Sequence, residues 1–271
     1  MTTSLLLAAL LAQGDIRLIV QGDDMGAAHA INLGTIKAYR DGIMRTTNIM
    51  VPTPWMPEAV KLLEENPGLD VGIHLTLTSE WSLVKWRPLT IAPSLTDRNG
   101  NFYPMVRPNP QLGPNMSMQE AGPKIAEVER ELRAQIETGK RLVPRVSYMS
   151  SHMGFGGAFP EIQELVGKLS KEYGLPSYST GAKSLGRLYD KSDNGAARAA
   201  KIAKKLETLE PGTWLTVDHA ALDTPEMRAI GHPGYMDVAE DRQAVVDAWT
   251  SDIVKAVIAR RGIKLVGHQK K

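Results

Sequence analysis

Two adjacent carboxylates follow a short strand-like segment near the start of the chain. Residues 16–20 are largely apolar, as in a buried strand of a parallel sheet, and Asp23 and Asp24 come directly after them. Gly22 and Gly26 flank the pair and permit close backbone turns. Because side chains alternate along a strand, we expect the two carboxylates to point in different directions. One can then bind a metal while the other faces a substrate or a water. The alternative is that one of them caps the helix that follows.

Three of the six histidines lie at or just after the end of a predicted strand. The strands are residues 69–77, 143–151 and 213–217, and the histidines are His74, His152 and His219. In a parallel barrel the carboxyl ends of the strands all face one side, where active sites are built. One carboxylate and two imidazoles are a common ligand set for a hydrolytic or Lewis-acid divalent metal. Of the histidines away from strand ends, His232 is left open, and we interpret His29 and His268 as surface residues.

Strands and helices alternate along most of the chain, which is typical of a parallel sheet covered by helices. Strands are predicted at residues 16–20, 44–51, 69–77, 143–151, 213–217 and 263–266, and helices at 27–41, 55–66, 117–140, 160–173, 196–209 and 239–261. A chain of 271 residues is long enough for one α/β barrel. Since no linker, low-complexity segment or internal repeat divides it, we predict a single parallel (β/α) barrel domain from residue 15 to residue 271.

Composition and charge narrow the class of protein. Apolar residues make up 42% of the chain and charged residues 23%, as in an ordinary globular protein, which argues against disorder. The net charge is only +2 and the basic residues are scattered, so neither nucleic acid nor a membrane is indicated as a partner. Cysteine is absent, which excludes disulfides and thiolate chemistry but leaves the compartment open.

The first 14 residues contain a short apolar stretch, SLLLAALLA at residues 4–12. It resembles the apolar core and cleavage end of a secretory signal, although no basic residue precedes it, and it is too short to span a bilayer. We interpret it as a signal remnant, which favours a periplasmic or secreted protein. The alternative is a tail that packs on the barrel, which would fit a cytoplasmic protein.

Four motifs together resemble the YdjC-like carbohydrate deacetylases, relatives of the chitooligosaccharide deacetylases. They are GDDMG, GIHLTLT at residues 72–78, DRNGNFY at 97–103 and SSHMG at 150–154. The resemblance implies an irregular α/β barrel that removes acetyl groups from N-acetylated sugars with one divalent metal ion, zinc or magnesium. It also implies that Asp24, His74 and His152 are the metal ligands and that Asp23 is the catalytic base.

The chain departs from the family pattern at two places. The family often has an aspartate and a histidine where this chain has Ser150 and Gly154, so we expect a contact that supports the site and a contact with the substrate to be missing. The family also has a late His-Pro-Gly, which occurs here at His232. His219, however, leaves a strand and precedes the last helix at a family-like interval. We therefore expect His219 to be the catalytic acid and hold His232, otherwise a substrate-binding residue, as the alternative.

Residues 78–116 show no periodicity and contain six prolines. So long an irregular segment in a compact domain is typical of a lid or binding loop. Its aromatic residues are Trp81, Trp86, Phe102 and Tyr103. Such rings could stack on sugar rings, and we expect this of Trp81 and Tyr103; the alternative, for most of the four, is that they pack the loop onto the body of the protein.

Three functions fit these features. The leading hypothesis is deacetylation of an N-acetylated sugar, with a homodimer left open. A second is another metal-dependent reaction on the same barrel, such as phosphoester or other amide hydrolysis. A phosphoesterase needs a cluster of cations, for which only Arg45 and Lys85 are candidates near the predicted face. A third is a carbohydrate-binding relative without activity. For the first hypothesis we expect both Asp23→Asn and Asp24→Ala to remain folded, and only Asp24→Ala to lose metal.

Overall fold

The structure is a computed structural model that describes residues 14–177 and 181–269. Its strands form one seven-stranded sheet. They are β1 (Ile16–Met25), β2 (Thr46–Ile49), β3 (Asp70–Leu75), β4 (Met149–Ser151), β5 (Lys183–Ser184), β6 (Gly212–Asp218) and β7 (Lys264–Leu265). The predicted signal segment at residues 4–12 lies outside the described residues.

The sheet is organised around β1. The strand order is β4-β3-β2-β1-β6-β5, and β7 also pairs with β1. Every pairing is parallel. Strand β6 pairs with residues 16–22 of β1, β7 with residues 17–18 and β2 with residues 21–25. The sheet forms a half-barrel with helices packed against it. The predicted α/β barrel-like fold in a single domain is therefore confirmed.

The helices largely follow the sequence prediction. They are α1 (His29–Arg40), α2 (Met56–Glu64), α3 (Met118–Ala121), α4 (Ile125–Leu142), α5 (Pro160–Tyr173), α6 (Gly195–Glu207), α7 (Pro225–Arg228), α8 (Val238–Thr250) and α9 (Asp252–Arg261). Two predicted helices are each broken in two. Gly122, in the left-handed region, ends α3 before α4 begins. The extended Ser251 separates α8 from α9, and the break lets both of them pack against α6.

Two clusters of buried apolar side chains hold the helices against the sheet. Ile73 of β3 and Leu132 of α4 belong to one cluster, and Val20 of β1 and Trp249 of α8 belong to the other. Burying such a side chain stabilises the fold by about 1.5–3 kcal/mol each. The strand ends that present the candidate ligands therefore rest on a packed support.

Polar side chains fill one face of the first four strands. They are Gln21, Asp23, Thr46, Asn48, Asp70, His74, Tyr148 and Ser150, and all are buried. Those of β1, β2 and β3, and Ser150 of β4 with Tyr148 just before it, are separated by an even number of residues, which places them on the same face. Each of them makes hydrogen bonds or ion pairs within the fold, as buried polar groups generally do. This polar face leads up to the carboxyl ends of the strands, where the candidate site lies.

The long irregular segment at residues 78–116 packs onto the body of the protein. Trp81, Trp86 and Phe102 are at most 2% exposed. The indole Nε1 of Trp86 also donates a hydrogen bond of 2.7 Å to the carbonyl oxygen of Thr78. The packing alternative is therefore confirmed for Trp86 and Phe102, and Trp81 is buried as well. In the part of the chain that the structure describes, no helix is both long enough and apolar enough to cross a membrane.

Candidate metal centre and active site

A β-bulge at the end of β1 brings the two aspartates to the same place. The pairing of β1 with β2 shifts between Gly22 and Met25, and Asp24 has a φ of +72°. A non-glycine residue rarely adopts this left-handed conformation. Asp23 Oδ2 lies 3.6 Å and Asp24 Oδ1 lies 3.5 Å from the same atom, Nε2 of His74. The prediction that the carboxylates diverge is wrong because it assumed a regular strand.

Neither aspartate caps the helix that follows. Helix α1 begins at His29, and its N-cap residue, Ala28, makes no side-chain cap bond. Gly26, at a φ of +103°, turns the chain between the bulge and the helix. A Cβ atom at this position would lie only 2.9 Å from Oγ1 of Thr53. The capping alternative is therefore wrong, and the turn at residue 26 requires glycine.

Asp24, His74 and His152 form a buried group with the chemistry of a metal site. One ligand-type atom from each lies within 4.8 Å of the other two, and all three residues are at most 4% exposed. Asp24 Oδ1 lies 3.3 Å from Nδ1 of His152 and has no hydrogen-bond partner. A buried carboxylate oxygen without a donor is costly unless a cation satisfies it. The donor set therefore fits a divalent metal ion.

Two side chains hold the imidazole rings of this group. Ser150 Oγ lies 2.6 Å from His74 Nδ1, and Glu80 Oε2 lies 3.0 Å from His152 Nε2. Both contacts leave the opposite ring nitrogen directed at the ligand group, which is the usual way in which metal-binding histidines are oriented. The expectation of a missing contact is wrong for Ser150, because its hydroxyl bonds His74 directly.

Asp23 is held by two amide side chains. Gln21 Nε2 and Asn48 Nδ2 donate to its Oδ1 atom at 2.7 and 2.6 Å. Asn48 also donates to Ser150 Oγ at 2.8 Å and accepts a hydrogen bond from the backbone N–H of Asp24 at 3.3 Å. One asparagine thus fixes both aspartates and the serine that supports His74. The Oδ2 atom of Asp23 is left facing the ligand group.

Arg242 of α8 is the charged partner of Asp24. Its Nη2 atom donates to Asp24 Oδ2 at 2.9 Å, and both side chains are at most 5% exposed. Burial raises the pKa of Asp24, but the positive charge of Arg242, with those of His219 and His152, outweighs burial. The pKa of Asp24 is consequently held well below its usual value of 3.8. This carboxylate is therefore ionised at neutral pH.

The pKa values of the two histidines of the ligand group are shifted in opposite directions. Burial lowers the pKa of His74 to about 4, because the attraction of Asp23 does not compensate for it. Burial also disfavours the charged form of His152, but the carboxylates of Glu80 and Asp24 outweigh burial and raise its pKa to about 10. In the absence of a metal ion, His152 is therefore protonated at neutral pH and His74 is neutral.

His219 lies at the edge of the ligand group and faces a cavity. Its Nε2 atom is 3.9 Å from Asp24 Oδ2, and its side chain is 44% exposed. The backbone N–H of His219 donates to Oδ1 of Asp218, the last residue of β6, at 3.0 Å. The cavity has a volume of about 310 Å³ and is lined by His219, Arg242 and Tyr235 among others. This volume is at the lower end of the range of small-molecule sites.

His232 belongs to a different contact group. Its ring stacks on Trp81 with the ring centroids 5.8 Å apart, and its Nδ1 atom lies 2.7 Å from the carbonyl oxygen of Pro233. Trp81 in turn contacts the guanidinium of Arg242, 5.3 Å from its ring centroid. Tyr103 is half-buried, and its backbone carbonyl oxygen accepts a hydrogen bond from the N–H of Ser79. The substrate-binding roles of His232, Trp81 and Tyr103 stay predictions.

Arg45 and His268 do not lie where the sequence predicted them. Arg45 lies just before β2, at the end of the sheet opposite the ligand group, and its Nη1 atom donates to the carbonyl oxygens of Tyr39, Gly42 and Met44. It is therefore not part of the catalytic face. His268 is not a surface residue either, since its Nδ1 atom is buried and its Nε2 atom lies 2.6 Å from Gln21 Oε1. The polar face of the sheet thus reaches the C-terminal segment.

The sequence of this chain matches one known family over most of its length. A family model described as YdjC-like protein matches residues 17–260. The chain belongs to the YdjC-like family. The match includes every residue of the ligand group, and the predicted family membership is therefore confirmed.

Two relatives of this YdjC-like protein are named carbohydrate deacetylases. Carbohydrate deacetylase 1 of Listeria innocua is 27% identical over 266 residues, which cover 94% of this chain and 99% of the relative. A carbohydrate deacetylase of Thermus thermophilus is 31% identical and covers 79% of this chain and 80% of its own. A crystal structure from Enterococcus faecalis V583, of a protein proposed to act in cellobiose-phosphate cleavage, has a TM-score of 0.76 at 23% identity. It covers 94% of this chain and 98% of that one, and the likeness concerns the fold.

The sequence analysis missed four residues that support the YdjC-like site. They are Gln21, Asn48, Glu80 and Arg242. Asn48 follows Thr46 by two positions in a short strand, so its alternation could have placed it on the polar face. Glu80 follows the GIHLTLT motif with no periodicity to single it out. Arg242 lies inside a predicted helix and reaches Asp24 only through the packing of α8 on the sheet. For such a contact between distant residues the sequence holds no local signal.

Proposed function

We propose that this YdjC-like protein removes acetyl groups from N-acetylated sugars by hydrolysis with one divalent metal ion. The observation that carries the proposal is the buried group of Asp24, His74 and His152 with Asp23 beside it. Family membership and the relatives named carbohydrate deacetylase support the class of substrate. The cavity next to His219 is large enough to be a small-molecule site.

The metal ion would be held by Asp24 Oδ1, His74 Nε2 and His152 Nδ1. A divalent ion at this place supplies Lewis acidity, which polarises an acetyl carbonyl and lowers the pKa of a water. Two imidazole nitrogens with one carboxylate oxygen favour zinc, with magnesium as the alternative. Glu80 accepts a hydrogen bond from the N–H at Nε2 of His152, so Nδ1 of the neutral ring carries no proton and can be a ligand.

Proton transfer falls to Asp23 and His219. Asp23 is anchored through Oδ1, so its Oδ2 atom faces the site and can take a proton from the attacking water. His219 is within 4 Å of Asp24 but 44% exposed, so it can reach both the site and a ligand in the cavity. In its protonated form it would donate to the departing amine. An amide has a poor leaving group, which is why both an acid and a base are needed.

The test is acetate release from N-acetylglucosamine oligomers with and without a chelator. We expect release by the protein as purified, loss after metal removal, and recovery on addition of zinc or magnesium. Release that survives complete metal removal would refute the metal-dependent mechanism. If no N-acetylated sugar is hydrolysed but phosphorylated sugars are, the alternative of phosphoester cleavage replaces it. Sugar binding without turnover of either class would indicate a carbohydrate-binding relative.

Whether the protein is a homodimer stays a prediction that sedimentation would test.

The phosphoester alternative loses support from the positions of its cations. Arg45 lies at the opposite end of the sheet, and Arg242 is committed to Asp24. Lys85 donates from Nζ to the carbonyl oxygen of Ser79 at 2.5 Å. None of these three residues presents an unengaged cation beside the ligand group. The deacetylase proposal requires no such cation.

A further inference from the structure

A chain of two hydrogen bonds joins the C-terminal segment to Asp23. His268 Nε2 lies 2.6 Å from Gln21 Oε1, and Gln21 Nε2 donates to Asp23 Oδ1 at 2.7 Å. Gln21 is completely buried and Asp23 is 4% exposed, so water does not compete for these bonds. The connection therefore runs through the interior of the half-barrel.

His268 lies in the segment that follows β7 and is held in place by Asp70 of β3 and by Tyr148. Its backbone N–H donates to Asp70 Oδ2 at 2.6 Å, and its ring packs against Tyr148 with the centroids 4.0 Å apart. A Cβ atom at Gly267 would lie 2.6 Å from Cβ of Asp70, so only glycine lets the chain approach this closely. The position of the ring is thus fixed from both its backbone and its face.

The direction of the Gln21 amide decides how Asp23 is held. An amide has one donor end and one acceptor end, and the carboxylate of Asp23 needs the donor. If the amide were flipped, its oxygen would face the carboxylate oxygen and repel it. A donor at His268 Nε2 excludes the flipped amide because that nitrogen needs the amide oxygen as its acceptor. Burial lowers the pKa of His268, which favours the neutral ring with one N–H donor.

We infer that His268 is a positioning residue for Asp23. It donates from Nε2 to Gln21 and so keeps the donor end of that amide on Asp23 Oδ1, which leaves Oδ2 directed at the ligand group. Asn48 binds the same Oδ1 atom from the second side. The inference rests on the proposed role of Asp23 as base. A residue of the C-terminal segment, 247 positions from Gln21 in the sequence, thereby helps to position Asp23.

A pair of nearly isosteric variants separates donation from packing. Glutamine at this position can donate to Gln21, whereas glutamate cannot, so we compare His268→Gln with His268→Glu. We expect His268→Gln to keep kcat within about twofold of the wild type. We expect His268→Glu to lower kcat about tenfold at unchanged KM and metal content, which corresponds to about 1.4 kcal/mol, the scale of one hydrogen bond.

Matched controls guard against a merely structural effect. His29 is also half-buried and lies 2.7 Å from a carboxylate oxygen of Glu58, so His29→Gln and His29→Glu should leave kcat per folded protein unchanged. Because His268 acts through Gln21, the losses of Gln21→Ala and His268→Glu should not multiply in the double variant. Equal losses in His268→Gln and His268→Glu, or losses that multiply, would overturn the inference.

A readout without activity separates this inference from the proposed function. The side-chain NH₂ signals of Gln21, identified by their disappearance in Gln21→Ala, report the bond to Asp23 in a ¹⁵N spectrum. We expect their shifts to be kept in His268→Gln and to move in His268→Glu as they do in Asp23→Ala. Signals unchanged in His268→Glu would refute the positioning role. Absence of acetate release by the wild type would refute only the proposed function.

Discussion

Exchange of each of the two adjacent aspartates for asparagine should damage the protein in different ways. In Asp23→Asn the side-chain oxygen can still accept from Gln21 and Asn48, so the fold and the metal content should be retained. What is lost is the basic Oδ2 atom. A general base contributes about 10²- to 10⁴-fold to turnover, so kcat should fall by this factor, or about 2.7–5.5 kcal/mol in activation free energy.

Asp24→Asn should lower stability as well as activity. The change removes the only carboxylate that pairs with Arg242 in the described residues, and both side chains are almost completely buried. Leaving one member of a buried ion pair without its partner costs about 3–5 kcal/mol. That is a large part of the roughly 5–15 kcal/mol that stabilises a typical domain. The sequence-based expectation that both aspartate variants remain folded does not include this pair, and the same cost applies to Asp24→Ala.

Three measurements on the two variants test this reasoning. They are the free energy of unfolding in urea, bound metal per chain, and acetate release per folded protein. The control is the double variant Asp24→Asn with Arg242→Met, which should regain much of the lost stability because no buried charge is left unpaired. If Asp24→Asn is as stable as the wild type, the assigned ion pair does not stabilise the fold. If Asp23→Asn loses the metal and Asp24→Asn keeps it, the two roles are reversed.

Three further predictions concern the histidines. Glu80→Gln should weaken metal binding about 10- to 100-fold, as measured by calorimetric titration, because His152 loses the carboxylate that orients it. In metal-free protein, His152 should make unfolding in urea harder as the pH falls from 10 to 6.5, because the folded protein binds that proton more tightly than the unfolded chain. His74 should make unfolding in urea easier as the pH falls further from 6.5 to 4, because the unfolded chain binds the proton of His74 more tightly than the folded protein does. His152→Gln should abolish the change in stability between pH 10 and 6.5, and His74→Gln should abolish the change between pH 6.5 and 4. His219→Gln should lower kcat for acetate release by about 10²- to 10⁴-fold, whereas His232→Gln should leave it within a small factor, and the opposite result would make His232 the acid.

The sequence predicts the elements of this fold well because each rests on local periodicity. Helix α5 (Pro160–Tyr173) has the predicted bounds, and β1 begins where the apolar run begins. The histidines at strand ends could be recognised for the same reason, since parallel strands present their carboxyl ends on one side. Wherever the backbone is regular, the local pattern of residues is sufficient to predict the element and the direction of its side chains.

What the sequence does not predict depends on irregular backbone or on packing between distant segments. The bulge places Asp24 in a left-handed conformation that nothing in its own side chain requires. Arg242 meets Asp24 across 218 residues, and His268 meets Gln21 across 247. Ser150 takes a supporting place in which the family pattern has an aspartate, and only the contact with His74 reveals it.

The different surroundings of the two aspartates explain how neighbours in sequence can perform different chemistry. Asp24 is held by the guanidinium of Arg242, so protonating it would leave a buried positive charge unpaired. Asp23 is held by the neutral amides of Gln21 and Asn48 through Oδ1 alone. A proton on its Oδ2 atom breaks neither of these hydrogen bonds and separates no Arg–Asp pair. In the proposed mechanism Asp24 therefore remains a charged ligand through the reaction, and Asp23 gains and releases a proton.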